Sequence, residues 1–109
     1  MSSLHTSTVD ITLQHRHLLT CQCRKPDGTW CSSTLDLNDC LGNNNGKFIW
    51  GRTSFAESAS QIHLSLEGNE GIPFLHAQLN DRHGSQQSAS INLMERIRNE
   101  NGQLSYLEY

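Results

Sequence analysis

Residues 19–50 of this chain fall on residues 75–106 when the sequence is slid by 56 positions, without a gap. Leu19/Leu75, Gln22/Gln78, Gly28/Gly84, Ser32/Ser88, Leu37/Leu93, Asn43/Asn99, Asn45/Asn101 and Gly46/Gly102 are identical, eight of the 32 pairs. Leu35/Ile91, Asp36/Asn92, Asp39/Glu95, Leu41/Ile97, Phe48/Leu104 and Trp50/Tyr106 keep their chemical character. Upstream, a weaker match at an offset of 51 sets Leu4, Ser7, Ile11 and Leu13 against Phe55, Ser58, Ile62 and Leu64. The change of offset fits extra loop around residues 68–73. Such a period means that one architectural unit was duplicated. Any binding site then exists twice, and each copy tests the other.

Each copy reads as the same train of short elements. Ser7 and Ser58, followed three positions later by Asp10 and Gln61, have the spacing of a capped helical turn. Short strands follow at 11–13 and 18–24; in the second, Leu19, Cys21 and Cys23 share one face and Leu18, Thr20 and Gln22 the other. Lys25-Pro26-Asp27-Gly28 is made of turn residues, and Asp81-Arg82-His83-Gly84 is its copy. Strands at 33–37 and 89–93 alternate, with Leu35/Leu37 and Ile91/Leu93 facing inward. One helical turn fits 38–41 and 94–97. The loops 42–46 and 98–102 then supply residues that tolerate positive φ. Each leads into a strand carrying a large apolar residue and an aromatic, Phe48/Trp50 and Leu104/Tyr106. The predicted class is mainly β with short helical turns, in one domain over 1–109.

Composition removes several function classes. Eight basic against eleven acidic residues give a net charge of −3, which advertises neither a nucleic-acid nor a membrane surface. No apolar run approaches the roughly 20 residues of a membrane span. The first ten residues have neither a basic start nor an apolar stretch, so no signal peptide is expected. All four cysteines (Cys21, Cys23, Cys31, Cys40) lie in the first copy; Ala77, Leu79, Gln87 and Arg96 stand at their repeat positions. A disulfide essential to a duplicated fold should appear in both copies, so free buried thiols are expected, in a cytoplasmic or non-classically secreted protein.

The segment Phe55-Ala56-Glu57-Ser58, the strand SSTLDLND (residues 32–39) and the loop-strand GNNNGKFIW (residues 42–50) resemble the cyanovirin-N homology family of small β-rich lectins. The second-copy echoes ASINLMERI (89–97) and NENGQLSY (99–106) match as well, so the resemblance covers nearly the whole chain. It implies a pseudo-twofold fold in which each half is a triple-stranded sheet plus a β-hairpin, with strands exchanged between the repeats. Half A would span about 1–40 plus 96–109, and half B about 41–95. At the positions where cyanovirin-N has paired cysteines this chain has Thr8, Cys23, Ala59 and Leu79, so neither disulfide can form. Arg52 replaces the linker proline that favours domain swapping there, and a monomer is expected.

The resemblance also implies mannose-rich oligosaccharides or glycoproteins as partners, one polar pocket per half, no metal or other cofactor, and no catalysis. Planar amides, carboxylates and guanidinium groups suit vicinal sugar hydroxyls, since each hydroxyl both donates and accepts. The half B pocket carries over to Gly42, Asn43, Asn44, Asn45, Thr53, Ser54, Glu57 and Ser58, with Asn80, Asp81 and Arg82 opposite. Glu57 accepts from two hydroxyls and Arg82 closes over the sugar. The family's acidic residue at the loop start is Gly42 here. The half A pocket maps to Ser3, Thr6, Ser7, Arg24, Lys25, Pro26, Asn99, Glu100, Asn101 and Gly102. Thr6 replaces Glu57 and Pro26 replaces Arg82, so half A is expected to be weak or silent, with Glu100 as the one compensating acid.

Bland readings stand beside these. Asn-Gly loops serve turns, Ser7 and Ser58 serve as caps, and Glu57 suits the start of a helical turn. Trp50, with Tyr106 as its repeat partner, reads as core, whereas Trp30, paired with Gln86, reads as partly exposed. Three other functions remain open on the residues alone. One is a metal site, with His15 and His17 on one strand face near Cys21, Cys23 and Cys31, although C-x-C lacks the usual zinc spacing. Another is a Cys–His enzyme, for which no nucleophile motif is present. The third is a protein-interaction module with eroded sugar pockets.

Overall fold

The computed structural model describes residues 8–108. Alternation of buried and exposed positions sets the strands. In Leu18–Arg24 (β2) Leu19, Cys21 and Cys23 point inward; in Ile72–Asn80 (β7) Pro73, Leu75, Ala77 and Leu79 do. β2 is the centre of a three-stranded antiparallel sheet with Thr8–Gln14 (β1) and Trp30–Asp36 (β3). β7 likewise lies between Ala59–Glu67 (β6) and Gln86–Asn92 (β8). Two hairpins complete the molecule: Leu41–Asn44 (β4) with Lys47–Trp50 (β5), and Ile97–Glu100 (β9) with Gln103–Tyr106 (β10).

The duplication extends to irregularities. β1 carries a bulge between Val9 and Thr12, with Asp10 at φ 56°; β6 carries one between Ser60 and His63, with Gln61 at φ 52°. Both hairpins turn on Asn-Gly, with Asn45 and Gly46 at φ 52° and 89°, and Asn101 and Gly102 at 54° and 93°. These are the paired positive φ values that a two-residue hairpin needs to match strand twist. The hairpin β9–β10 is tied to the first sheet: Asn99 donates to the Arg24 carbonyl at 2.9 Å, and Ser33 Oγ accepts from Leu104 N–H at 2.9 Å. Asn43 of β4 reaches the second sheet in the same way, donating to the Asn80 carbonyl at 2.9 Å. Each sheet is thus completed by a hairpin from the other copy.

Between them runs one apolar core containing Leu19, Leu37, Leu41, Phe55, Leu75, Leu93 and Ile97, all at most 1% exposed. Trp50 and Tyr106 stack with ring centroids 5.9 Å apart, joining the two hairpins. Trp50 also donates its indole N–H to Glu95 at 3.2 Å. All four cysteines are free. Thr8 lies opposite Cys23 and Ala59 opposite Leu79, so the positions where cyanovirin-N has paired cysteines do form cross-strand pairs here, without the sulfur atoms to bridge them.

Several local expectations need correction. The helical turns are 3-10 turns at Leu37–Asp39 and Leu93–Glu95, one residue earlier than read, because Asp36 and Asn92 cap them by accepting from the N–H groups of Asn38 and Met94. Ser58 is not a cap. It ends the 3-10 turn Phe55–Ser58, and its hydroxyl accepts from Asn43 instead. Ser7 lies outside the described residues. The loops read at 42–46 and 98–102 are mostly strand, with only the Asn-Gly pair turning. His15 and His17 do not share a strand face: they sit in the tight β1–β2 connection, with His15 at φ 51° and His17 Nδ1 2.7 Å from Asp36.

Candidate functional site

In half B one asparagine ties the elements of the expected site together. Asn43 donates both amide hydrogens, to Ser58 Oγ at 2.8 Å and to the Asn80 carbonyl at 2.9 Å, and its Oδ1 accepts from Gly46 N–H at 2.9 Å. Asn45 Oδ1 accepts from Arg82 N–H at 2.9 Å. These bonds bring the β4–β5 hairpin, the 55–58 turn and the 80–82 segment to one place. Asn43 is therefore a pin, with one lone pair left for a ligand, rather than the versatile sugar contact expected of it.

The hairpin also packs against the linker. A Cβ on Gly42 would lie 2.6 Å from Arg52 Cβ and 3.3 Å from the Thr53 carbonyl. A side chain at this position would require the linker at Arg52 and Thr53 to shift. Asp81 organises its own turn: its carboxylate accepts from Gln87 Nε2 and from the N–H groups of His83 and Ser85. The Gln87 bond foremost holds its pKa below the ordinary carboxylate value against the opposing effect of desolvation, with the two backbone bonds adding to the lowering. Its oxygens are largely committed.

Two charged groups remain open. Glu57 and Arg82 are exposed, and neither side chain makes a hydrogen bond or ion pair among the described residues. Thr53, Asn44 and half-buried Ser54 stand around the same hairpin and turn. Ser54 is held at φ 65°, a left-handed conformation that starts the 55–58 turn and sets the direction of Glu57. The chemical result is an exposed carboxylate acceptor and an exposed guanidinium donor on segments that side-chain pins tie to one hairpin.

Half A repeats the pin. Asn99, 4% exposed, accepts from Gly102 N–H at 2.8 Å and donates to Arg24. A Cβ on Gly102 would meet Lys25 Cγ at 2.8 Å, so hairpin and turn are in direct contact. Between them lies a cavity of about 580 Å³ lined by Arg24, Lys25, Pro26, Asp27, Gly28, Asn99, Glu100 and Asn101. That volume falls within the range of small-ligand sites. Asp27 is the one lining charge that the sequence reading of half A does not include. Asp27 accepts from Thr29 N–H and Oγ1, and these bonds hold its carboxyl below the ordinary range. Arg24 and Glu100 make no side-chain hydrogen bond or ion pair among the described residues, while the Lys25 charge helps to lower the Asp27 carboxyl. Ser3, Thr6 and Ser7 of this pocket lie outside those residues. The alternative metal site gains no geometry: among the described residues no group of three or more His, Cys, Asp or Glu converges to hold an ion.

The comparisons with known proteins agree with this architecture. A cyanovirin-N homologue of Neurospora crassa is 33% identical over 105 residues, covering 93% of this chain and 95% of that protein. The solution structure of the CVNH protein of Gibberella zeae superposes with a TM-score of 0.93 at 42% identity, covering 99% of this chain and all of that one. Microvirin, solved as a complex with mannobiose, superposes with a TM-score of 0.86 at 25% identity, over 97% and 99% of the two chains. The CVNH domain profile matches residues 4–105, and the chain belongs to the cyanovirin-N homology family of lectins.

Proposed function

We propose that the protein binds α-linked mannose oligosaccharides, without covalent chemistry, chiefly through the half B pocket. The observation that carries this reading is the pair of uncommitted charged groups, Glu57 and Arg82, beside a hairpin whose own polar groups are already pinned. A pinned backbone loses little entropy on binding, so more of the hydrogen-bond energy appears as affinity. Glu57 accepts from two vicinal hydroxyls and Arg82 donates to a ring or hydroxyl oxygen. The mannobiose complex of microvirin, which shares this fold, supports the sugar class.

Half A is the weaker site for a disaccharide. It has a cavity and a carboxylate in Glu100, but its cations, Arg24 and Lys25, come from the turn before Pro26 instead of Arg82's repeat position. A charged hydrogen bond out of place forfeits about 1.5–3 kcal/mol, which is roughly a ten- to hundredfold loss of affinity.

Titration with α-linked mannobiose, followed by amide signals residue by residue, tests both parts. Residues 42–45, Glu57, Ser58 and Arg82 shift first; residues 99–102 shift only at much higher sugar, or not at all. A silent half B at saturating disaccharide removes the lectin reading, and equal titration of both halves removes the ranking.

A further inference from the structure

The turn between β2 and β3 and the turn between β7 and β8 are copies of one another, but the residues that flank them are not. In half A Cys23 is paired across the strands with Cys31; in half B the same positions hold Leu79 and Gln87. Cys23 is fully buried and Cys31 half-buried, so one member of the pair is closed to solvent and the other is reachable. A third thiol, Cys21, lies on the inward face of β2 with its Sγ 3.1 Å from that of Cys23. The pair also borders the half A cavity. Cys31 Cβ is 3.5 Å from the place that a Cβ on Gly102 would take, in the β9–β10 hairpin. Arg24, Lys25, Pro26, Asp27 and Gly28, five of the eight residues that line the cavity, lie between Cys23 and Cys31 in the chain.

Directly opposed residues of an antiparallel pair have Cα atoms about 4.5–5.5 Å apart. A disulfide takes Cα separations of about 4.4–6.8 Å, so β2 and β3 need not move apart or together to accept one. Residues two apart on a single strand are separated by about 6.6–6.8 Å, at the far end of that range. Contact between the Cys21 and Cys23 sulfurs therefore does not make them the better pair. The Cys31 thiol rests 3.8 Å from the Ser32 carbonyl and has to turn towards Cys23 for a bond to form.

We propose that Cys23 and Cys31 are an oxidisable pair whose disulfide staples the wall of the half A cavity, with a peroxide as the oxidant. Cys31, the reachable thiol, takes one oxygen from hydrogen peroxide and becomes a sulfenic acid, and water leaves. The Cys23 sulfur then attacks the Cys31 sulfur and the S–O bond breaks. The Cys23 proton departs with the hydroxyl as a second water, and two electrons have passed from the thiol pair to the peroxide. Burial raises the Cys23 pKa, so its thiolate is scarce and the closing step is slow. The bond ties together both ends of the turn that carries Arg24 to Gly28. It stands apart from the sugar-binding reading, because the thiol chemistry is the same whatever the cavity holds.

The test treats the whole folded protein with hydrogen peroxide, alkylates the remaining thiols and maps the tryptic peptides. Cleavage after Arg24 separates Cys23 from Cys31, because Lys25 precedes Pro26 and is spared. A Cys23–Cys31 bond therefore joins residues 17–24 to residues 25–47, whereas a Cys21–Cys23 bond leaves 17–24 alone and lighter by a pair of hydrogens. The joined peptide is expected from wild type, Cys21→Ala and Cys40→Ala, and is lost in Cys31→Ser and Cys23→Ala. Cys31→Ser alters a half-exposed side chain, so its result stands even where Cys23→Ala disturbs the core. In the bridged form the amides of Lys25 and Gly28, bonded to the carbonyls of Thr29 and Lys25, exchange more slowly with solvent. Those of Asp81 and Gly84 in the copied turn keep their rates. The pair is overturned by an internal bond within 17–24, by a protein dimer joined through Cys31, or by a joined peptide that survives Cys23→Ala. It is overturned too by oxidation that stops at Cys31, or by four thiols that stay unchanged. Unaltered exchange at Lys25 and Gly28 in a protein that carries the bond overturns the staple.

Discussion

Polar residues of the candidate pocket divide into those that hold the backbone and those left for a ligand, and the two kinds fail differently. Asn43 belongs to the first kind. Asn43→Ala leaves the Gly46 N–H and the Asn80 carbonyl without their partner, and costs about 1–3 kcal/mol in urea unfolding. Glu57 belongs to the second. Glu57→Ala keeps stability within about 0.5 kcal/mol, as for an exposed side chain with no partner, while mannobiose affinity at half B falls roughly ten- to hundredfold. Asp81 can be tested by pH. Its hydrogen bonds lower the folded pKa below the unfolded value, so its contribution is complete above the unfolded pKa and is lost as pH falls through the folded one. The amides of His83 and Ser85 should therefore titrate only in acid below the ordinary carboxylate range, and Asp81→Asn should abolish that step. The thiols offer a further check. Burial pushes Cys21 and Cys23 up, and pushes Cys40 up to about 11, with Asp39 and Asp36 adding to the last. A thiol reagent should accordingly modify half-exposed Cys31 in the native protein and reach the other three only on unfolding.

Turns decide where these groups stand, and glycine at two of them separates conformational strain from crowding. Gly28 and Gly46 have nearly the same φ, 91° and 89°, but a Cβ on Gly28 meets nothing within 4 Å, whereas on Gly46 it lies 2.7 Å from Gln87 Cγ. Gly28→Ala should cost about 1–2 kcal/mol for the left-handed backbone alone. Gly46→Ala should cost more, and should also disturb half B, since Gln87 holds Asp81. Urea midpoints together with the mannobiose titration distinguish the two. Much at this scale was legible in the sequence. Strict alternation in residues 18–24 and 89–93 marks the strands, and the paired Asn-Gly steps mark the turns, because each depends on residues adjacent in the chain; the strands that lead into those turns, Leu41–Asn44 and Ile97–Glu100, do not show in the sequence. What misled was any residue with two competing partners. Asp36 and Asn92 read as strand interior at 33–37 and 89–93, yet they end their strands and cap the next turn. Ser58 looked like a cap yet accepts from an asparagine 15 residues earlier. Within the candidate site, Glu57 and Arg82 come from the family resemblance, and the repeat comparison sets them apart from Thr6 and Pro26. That the Asn43 amide was already spent, or that Arg52 leaves no room at Gly42, depends on packing between segments remote in sequence.

Across the whole molecule, the duplication gives two candidate binding regions that share a frame but differ in chemistry. One core runs through both halves, and the Trp50–Tyr106 stack couples the two hairpins that carry the pins Asn43 and Asn99. Neither region is a separable module, so valency has to be altered by point substitution and not by truncation. A single chain with two working regions can bridge two glycans; with one it can do so only by self-association. Half A is expected to be the weaker of the two, so cross-linking should set in only at high glycan concentration. Wild-type protein should raise light scattering at high concentrations of a carrier bearing many α-linked mannobiose units, and Glu57→Ala should abolish that scattering. Persistent scattering from Glu57→Ala would mean that the second glycan is reached through a second copy of the protein, and sedimentation at the same concentration would then have to show a dimer.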